Sequence, residues 1–266
     1  DSHREFSRTL SRFAGRARQI VEQHLGSLVY AGGDDVLAFL PLPTALDCAA
    51  DLRRAFAEVM TGSRLPDGTQ PTLSVGIGVG HVMEGMGELL ELGREAEHIA
   101  KRGCGKTDEP RDALAVVVDL RSGGKRSWRA RWSERPDPIE SLQKAITALE
   151  KGFPSRMDKG FPSRKVYEIA AALRRLPAPD RARGEPSGWA LALAGEVRRS
   201  LSRVRGEQGV EPEYVGLDLR AERLDYRQLH RQISAWVERM LVARTFAAAR
   251  PEPRPPAGRE AGEGAA

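Results

Sequence analysis

Four residues, Gly32-Gly33-Asp34-Asp35, stand between two short apolar runs, Leu28-Val29-Tyr30-Ala31 and Val36-Leu37-Ala38-Phe39-Leu40. Strand formers on both sides of a Gly/Asp cluster read as a β-hairpin with its tight turn at the cluster. Two adjacent carboxylates at a sharp bend repel one another unless a cation sits between them, and magnesium, with its preference for oxygen ligands, is the ordinary solution. The glycines also let a phosphate group come close to the main chain. A solvated turn is the plain alternative, and the strongly apolar strands on either side weigh against it.

The rest of the chain alternates helical and strand periods around this hairpin. Phe6, Leu10, Phe13, Ala17, Ile20 and Val21 recur at helical spacing across Arg4 to Leu25, and Gly26 follows as a stop. Pro41 and Pro43 end the second strand, and Leu46, Ala49, Ala50, Leu52, Ala55, Phe56 and Val59 resume a helical period from Thr44 to Met60. Leu73, Val75, Ile77 and Val79 fall on one side of a strand to His81, while Ser74, Gly76, Gly78 and Gly80 leave its other side nearly bare. A helix is expected from Met86 to Lys101 and a buried strand from Ala113 to Leu120. This order suits an α+β sandwich with helices on one face of a largely antiparallel sheet. Beyond Ser133 strand signals stop, and Ile139 to Lys151, Lys165 to Leu176, Trp189 to Val204 and Ala221 to Ala249 read as helices. The expected domains are therefore 1–132, 133–249 as an all-α unit, and a disordered Pro/Gly-rich tail at 250–266.

Composition bounds the function classes. A length of 266 residues with 40% apolar and 30% charged content supports a buried core and excludes both a short peptide scaffold and global disorder. Forty-two Lys and Arg against 37 Asp and Glu give a net charge of +5, which favours phosphate-bearing partners without naming one. Cys48 and Cys104 are too few for a disulfide framework and fit no zinc spacing, so a reducing compartment is the default. The longest apolar stretch, Val36 to Leu46, is interrupted by prolines and far too short to span a bilayer. The N-terminus, Asp1-Ser2-His3-Arg4, runs straight into an amphipathic repeat, and the chain is expected to be a fragment of a longer protein.

Tyr30 to Pro41, with the Gly-Gly-Asp-Asp turn inside it, resembles the signature of the large palm-domain subunit of type III CRISPR effector complexes, closest to the III-B branch. Further segments fall in the family's order. His3-Arg4-Glu5-Phe6-Ser7 and Leu10 to Phe13 precede the motif, and Leu73-Ser74-Val75-Gly76-Ile77 follows it. Arg94-Glu95-Ala96-Glu97 with Ala100-Lys101 then leads to Arg111-Asp112-Ala113-Leu114-Ala115-Val116. The likeness covers about residues 1 to 132 well and the helical remainder loosely, as for a C-terminal fragment.

This resemblance implies a ferredoxin-like palm, related to polymerase and nucleotide-cyclase palms, that joins ATP molecules into cyclic oligoadenylate when the complex holds target RNA. It implies a cytoplasmic setting with no membrane, and as partners the other complex subunits, guide RNA and target RNA. Asp34 and Asp35 would hold magnesium or manganese ions that activate one ATP's 3′-hydroxyl and stabilise the departing pyrophosphate of the next, with no protein nucleophile. Gly32 and Gly33 would border the nucleotide. Family palms take a further metal-binding carboxylate from a strand before the first helix seen here. The isolated 266 residues are therefore expected to bind magnesium and ATP weakly and to make no product. No His-Asp doublet of the family's nuclease domain occurs.

Other positions carry two readings each. Ser7 matches a serine that the family turns toward adenine, but serines are common on exposed helix faces. Ser74 with Gly76 leaves room for a nucleotide, or lets a helix pack close to the sheet, the favoured reading. Lys101 matches a family lysine that reaches triphosphate, or is a solvated helix end favoured by the helix dipole. The family often places further His and Lys after its equivalent of His81, where this chain has Val82, Met83 and Glu84, so His81 reads as structural. Arg102 to Pro110 adds residues before Arg111. Trp128 and Trp132, amid the basic run Arg121 to Arg135, suit stacking on nucleic acid. Their alternation with Arg129 and Arg131 suits a strand with tryptophans in the core better. Two other functions compete: a diguanylate-cyclase-like signalling domain, which would normally read Asp-Glu-Phe at the turn, and a non-catalytic scaffold for RNA and partner subunits.

Overall fold

The computed structural model describes residues 2–33, 35–65, 67–102, 111–121, 124–151, 160–182, 186–204, 209–219 and 225–249. Asp34, residues 103–110 with Cys104 among them, the starting residues of the helix expected from Ala221 and residues 250–266, expected as a disordered tail, lie outside them. Helix α1 (Ser2–Gln23) forms on its 3.6-residue apolar stripe and buries Phe13, Ala17 and Val21 completely. It ends in a Schellman motif, in which Gly26 N–H reaches Val21 O at 2.8 Å and Leu25 N–H reaches Glu22 O at 3.0 Å. The left-handed residue of that cap is Leu25, with φ of 61°. Gly26 is needed for a different reason, since a Cβ there would stand 2.8 Å from Val21 Cγ1.

Strands β1 (Ser27–Gly32) and β2 (Asp35–Phe39) pair antiparallel, with Gly32 opposite Asp35 and a register shift between Leu28 and Tyr30. That pairing leaves a two-residue turn, and Gly33 supplies its left-handed conformation with φ of 60°. Helix α2 (Leu42–Val59) starts at the proline pair and packs Phe56 edge-on against Phe13, with ring centres 5.0 Å apart. Cys48 is fully buried on α2, and burial together with Asp51 pushes its thiol up to about 11, so it stays protonated.

A second sheet holds β3 (Val75–Gly80), β4 (Ala113–Asp119) and β5 (Arg126–Arg131) in that order. Helix α3 (Met86–Arg102) connects β3 to β4, which run parallel, and β5 returns antiparallel to β4. The α+β class stands, but the sheet is mixed rather than largely antiparallel, and the hairpin forms its own ladder. Helices also cover both faces instead of one. The reason lies in β4, whose Leu-Ala-Val-Val-Val run has two apolar sides and therefore needs two covers. Ala115 and Val117 meet Leu92, Ala96, Ile99 and Ala100 of α3. Leu114, Val116 and Val118 face the opposite way, with Trp128 and Ala130 of β5, into a cluster that continues through the C-terminal helices.

Those helices are α4 (Pro138–Lys151), α5 (Ser163–Arg175), α6 (Pro186–Ser202) and α7 (Tyr226–Ala249). Helix α7 is the hub: Trp236 donates from Nε1 to Val215 O at 2.7 Å, and Tyr226 donates its hydroxyl to Pro177 O at 2.6 Å. The apolar contacts run unbroken from β4 and β5 to α7, so these helices use the sheet as one wall of their core. Among the described residues no helix is long and apolar enough to cross a membrane.

The bare side of β3 is where α3 lies. A Cβ on Gly76 would overlap the backbone of Ala96 and Glu97, and one on Gly78 would overlap Leu92 and Gly93. The helix-packing reading of this glycine face is the correct one. Gly76→Ala is expected to lower stability by about 1–3 kcal/mol, because the helix backbone must retreat from the sheet. Chemical denaturation tests this, and a variant as stable as the parent would mean that α3 can retreat freely.

Candidate functional site

The hairpin tip and the last turn of α3 converge. Asp35 opens β2 with its carboxylate 68% exposed, and Lys101 Nζ comes within 3.9 Å of Asp35 Oδ1. Lys101 is also ion-paired with Glu97, one turn earlier on the same helix. The Lys101 side chain is 32% exposed, and its ammonium stands between two carboxylates at the rim of the turn. Gly76 determines how near this helix approaches, because the backbone beside its Cα is that of Glu97. Gly32 lies under the Tyr30 side chain, whose hydroxyl occupies the space 2.7 Å from where a Cβ would be. Gly33, at the turn itself, has open space around it.

Arg129 completes the arrangement from the sheet. Its Nε donates to Ile99 O at 3.0 Å and its Nη2 to Ala100 O at 3.5 Å, both carbonyls of the last turn of α3. The sequence reading gave neither Arg129 nor Glu97 a role at the site. The four-residue offset between Glu97 and Lys101 was a readable signal for the ion pair, whereas nothing local announces that a strand residue caps a helix 30 positions earlier.

The remaining predicted residues are placed elsewhere. Ser7 is exposed on α1, and its carbonyl accepts a hydrogen bond from Ser11 Oγ at 3.0 Å. Ser74 Oγ accepts the Asp112 N–H at 3.1 Å, tying the start of β3 to the start of β4. Asp112 has φ of 67° and is held by Arg53, whose Nε donates to Oδ1 at 3.0 Å and whose Nη2 donates to Oδ2 at 3.3 Å. Ser74 thus belongs to a structural junction joining α2, β3 and β4. His81 accepts the Met83 N–H at Nδ1, 3.2 Å away, which fits its structural reading. Trp128 is buried in the core and unavailable for stacking. Asp34 falls outside the described residues.

The donors at the tip are hard oxygens, which suit magnesium better than a soft metal. Among the described residues no group of three or more His, Cys, Asp or Glu side chains converges as a metal cage. Asp35 therefore offers one open carboxylate, with the Lys101 ammonium 3.9 Å from it. An exposed carboxylate and an ammonium side by side are equipped to share a metal-bound phosphate chain between them. An open cleft of about 300 Å³ between α2 and α4, bordered by Arg53, Trp132, Asp137 and Gln143, includes none of the hairpin residues.

A family model described as Cas10/Cmr2, second palm domain, matches residues 1–115. The CRISPR system Cmr subunit Cmr2 of Pyrococcus furiosus is 36% identical over 122 residues, covering 46% of this chain and 13% of that protein. The CRISPR system CMR subunit Cmr2 of Saccharolobus solfataricus is 43% identical over 60 residues, covering 23% of this chain and 6% of that protein. The chain thus matches only a small part of the length of either relative.

Arg129→Met should fray the last turn of α3 by removing charged donors from two carbonyls, at a cost of about 1.5–3 kcal/mol. Hydrogen exchange at the amides of Ile99 to Arg102 reads this directly, and unchanged protection there would remove Arg129 from the site.

Proposed function

We propose, from the match of residues 1–115 to the Cas10/Cmr2 second palm domain model, that this chain is the palm-bearing part of a type III CRISPR effector large subunit and that its hairpin site joins ATP molecules into cyclic oligoadenylate. In this reading the protein works within a multi-subunit complex that holds guide RNA and responds to target RNA. One observation carries the site assignment: Asp35 and Lys101, from different elements, meet at the turn 3.9 Å apart. A carboxylate beside a lysine, both partly exposed, matches what a metal-bound triphosphate requires of its surroundings.

The residues have separate tasks. Asp34 and Asp35 would hold magnesium, whose chemistry when bound is to neutralise triphosphate charge and to favour the ionised form of the attacking hydroxyl. Lys101 would contact phosphate oxygens as a point charge. Glu97 orients that ammonium, since the pair spans one helical turn on a helix fixed against β3. Gly33, where an added Cβ would touch nothing, leaves space for phosphate to approach the backbone. The overall transfer forms a bond from a ribose 3′-oxygen to the α-phosphorus of a second ATP and releases pyrophosphate, so no covalent protein intermediate is required.

The test uses the full-length protein in its assembled complex with target RNA, with products read by mass spectrometry. Asp35→Asn should reduce cyclic oligoadenylate at least 100-fold while leaving assembly intact. Lys101→Met should reduce it about tenfold, mainly through a raised KM for ATP, since it removes one phosphate contact at about 1.4 kcal/mol. Undiminished product in Asp35→Asn would end the catalytic reading and leave a scaffold, and preference for GTP over ATP would indicate a diguanylate-cyclase-like activity instead.

A further inference from the structure

Helix α1 carries arginine at every fourth position from Arg4 to Arg16. Its apolar face is spent inside the molecule, where Phe13, Ala17 and Val21 have no exposure and Phe6, Leu10 and Ile20 pack against the α2 cluster. The opposite face is therefore fixed toward solvent. Arg4, Arg8 and Arg12 are all exposed on it, together with Ser11 and Gly15, and a Cβ on Gly15 would touch nothing. Arg16 and Arg18 are ion-paired, to Glu58 at 2.7 Å and Glu22 at 4.0 Å. No acid partner approaches Arg4, Arg8 or Arg12 among the described residues, and Glu5 is the only carboxylate between Arg4 and Arg18.

Like charges four residues apart repel along a helix, so this spacing works against the helix that bears it and is not explained by helix stability. The guanidiniums also contribute nothing to the core beneath. From the geometry of α1 we infer that Arg4, Arg8 and Arg12 form a docking strip for the sugar-phosphate backbone of an RNA strand. Successive arginines rise about 6 Å along the axis, giving about 12 Å from Arg4 to Arg12. That span exceeds a single triphosphate and fits a succession of phosphates along a strand. A membrane surface is a poor match, because the apolar face that would insert is already buried. A protein partner held by apolar anchors is a poor match too, since no large apolar side chain is exposed on this face of α1. The choice of a polyanionic strand rests on α1 alone, whereas the choice of RNA over DNA rests on the function proposed above.

The experiment uses the 266-residue chain without ATP and a fluorescent single-stranded RNA of mixed sequence, with salt varied. The triple variant Arg4→Glu, Arg8→Glu, Arg12→Glu should weaken binding at least tenfold. The slope of log K against log salt should become shallower by about 2, as expected for three lost contacts to a single strand. A glutamine triple should weaken binding by a smaller factor, with both triples melting like the parent. A control with the same charge change on exposed arginines of the helical half, Arg181→Glu, Arg203→Glu and Arg227→Glu, should retain most of the affinity. Equal losses in the two glutamate triples, or none in the α1 triple, would overturn the assignment. Tighter binding of single-stranded DNA would overturn the choice of RNA, and an α1-dependent loss confined to polyglutamate would point to an acidic protein. Asp35→Asn should bind RNA like the parent, so a failure here is separate from any failure of the nucleotidyl-transfer reading.

Discussion

Direct backbone contact between a helix and a strand organises this protein. Helix α3 lies on β3 without intervening side chains because Gly76 and Gly78 have none to interpose. That approach makes β3, α3 and β4 a tight parallel unit and leaves the C-terminal turn of α3 at a set distance from the sheet. Glu97 is backbone-packed on Gly76, and Lys101 follows one turn later. The position of the ammonium near Asp35 is thus a consequence of two missing methyl groups, at Gly76 and Gly78, earlier in the chain.

Strand β4 transmits the same order to the other half of the molecule. Its residues alternate between two apolar environments, and each buried Val or Leu contributes about 1.5–3 kcal/mol of burial. Ala115 and Val117 hold α3, while Leu114, Val116 and Val118 share a cluster with α7. A disturbance of the C-terminal helices would therefore reach the hairpin site through one strand. Arg129 strengthens that route, since a residue of β5 covers the final carbonyls of α3 while its neighbours Trp128 and Ala130 sit in the opposite core.

Much of this was legible because the deciding signals are local. Among the described residues, periodicity located six of the seven α-helices to within three residues at each terminus, and the paired apolar runs located the hairpin. The bare face of β3 was readable as a surface meant for something large and close. Elements that depend on distant partners were not legible. Leu25 adopts the left-handed cap conformation although the obvious stop was Gly26, because Gly26 must pass beneath Val21 and β2. The mixed sheet escaped notice because a buried apolar strand reads alike in parallel and antiparallel pairings. At the site, the turn was read from its Gly/Asp cluster between two apolar runs and Lys101 from the resemblance, and the links that position Lys101 came only with the third dimension. Ser74 illustrates the converse, since a serine on a nearly side-chain-free strand face invites a ligand reading, yet its hydroxyl is engaged by Asp112 N–H.

The electrostatics of the hairpin rim fit a site that changes partners. Exposed ion pairs contribute at most about 1 kcal/mol, so neither Glu97 nor Asp35 holds Lys101 strongly. The separation of 3.9 Å from Asp35 is at the limit of direct pairing. A polyphosphate arriving with magnesium presents several negative charges at once, and a solvated lysine already resting between two carboxylates can turn toward it at little cost. A buried, geometrically ideal salt bridge would behave otherwise, since breaking one strands a charge in low dielectric at about 3–5 kcal/mol. The rim therefore combines a rigid base, set by α3 against β3, with a charged tip whose contacts are weak enough to exchange. In the proposed reaction the same lysine must bind one triphosphate, release pyrophosphate and accept the next, and only a partner held loosely in the resting state permits that cycle.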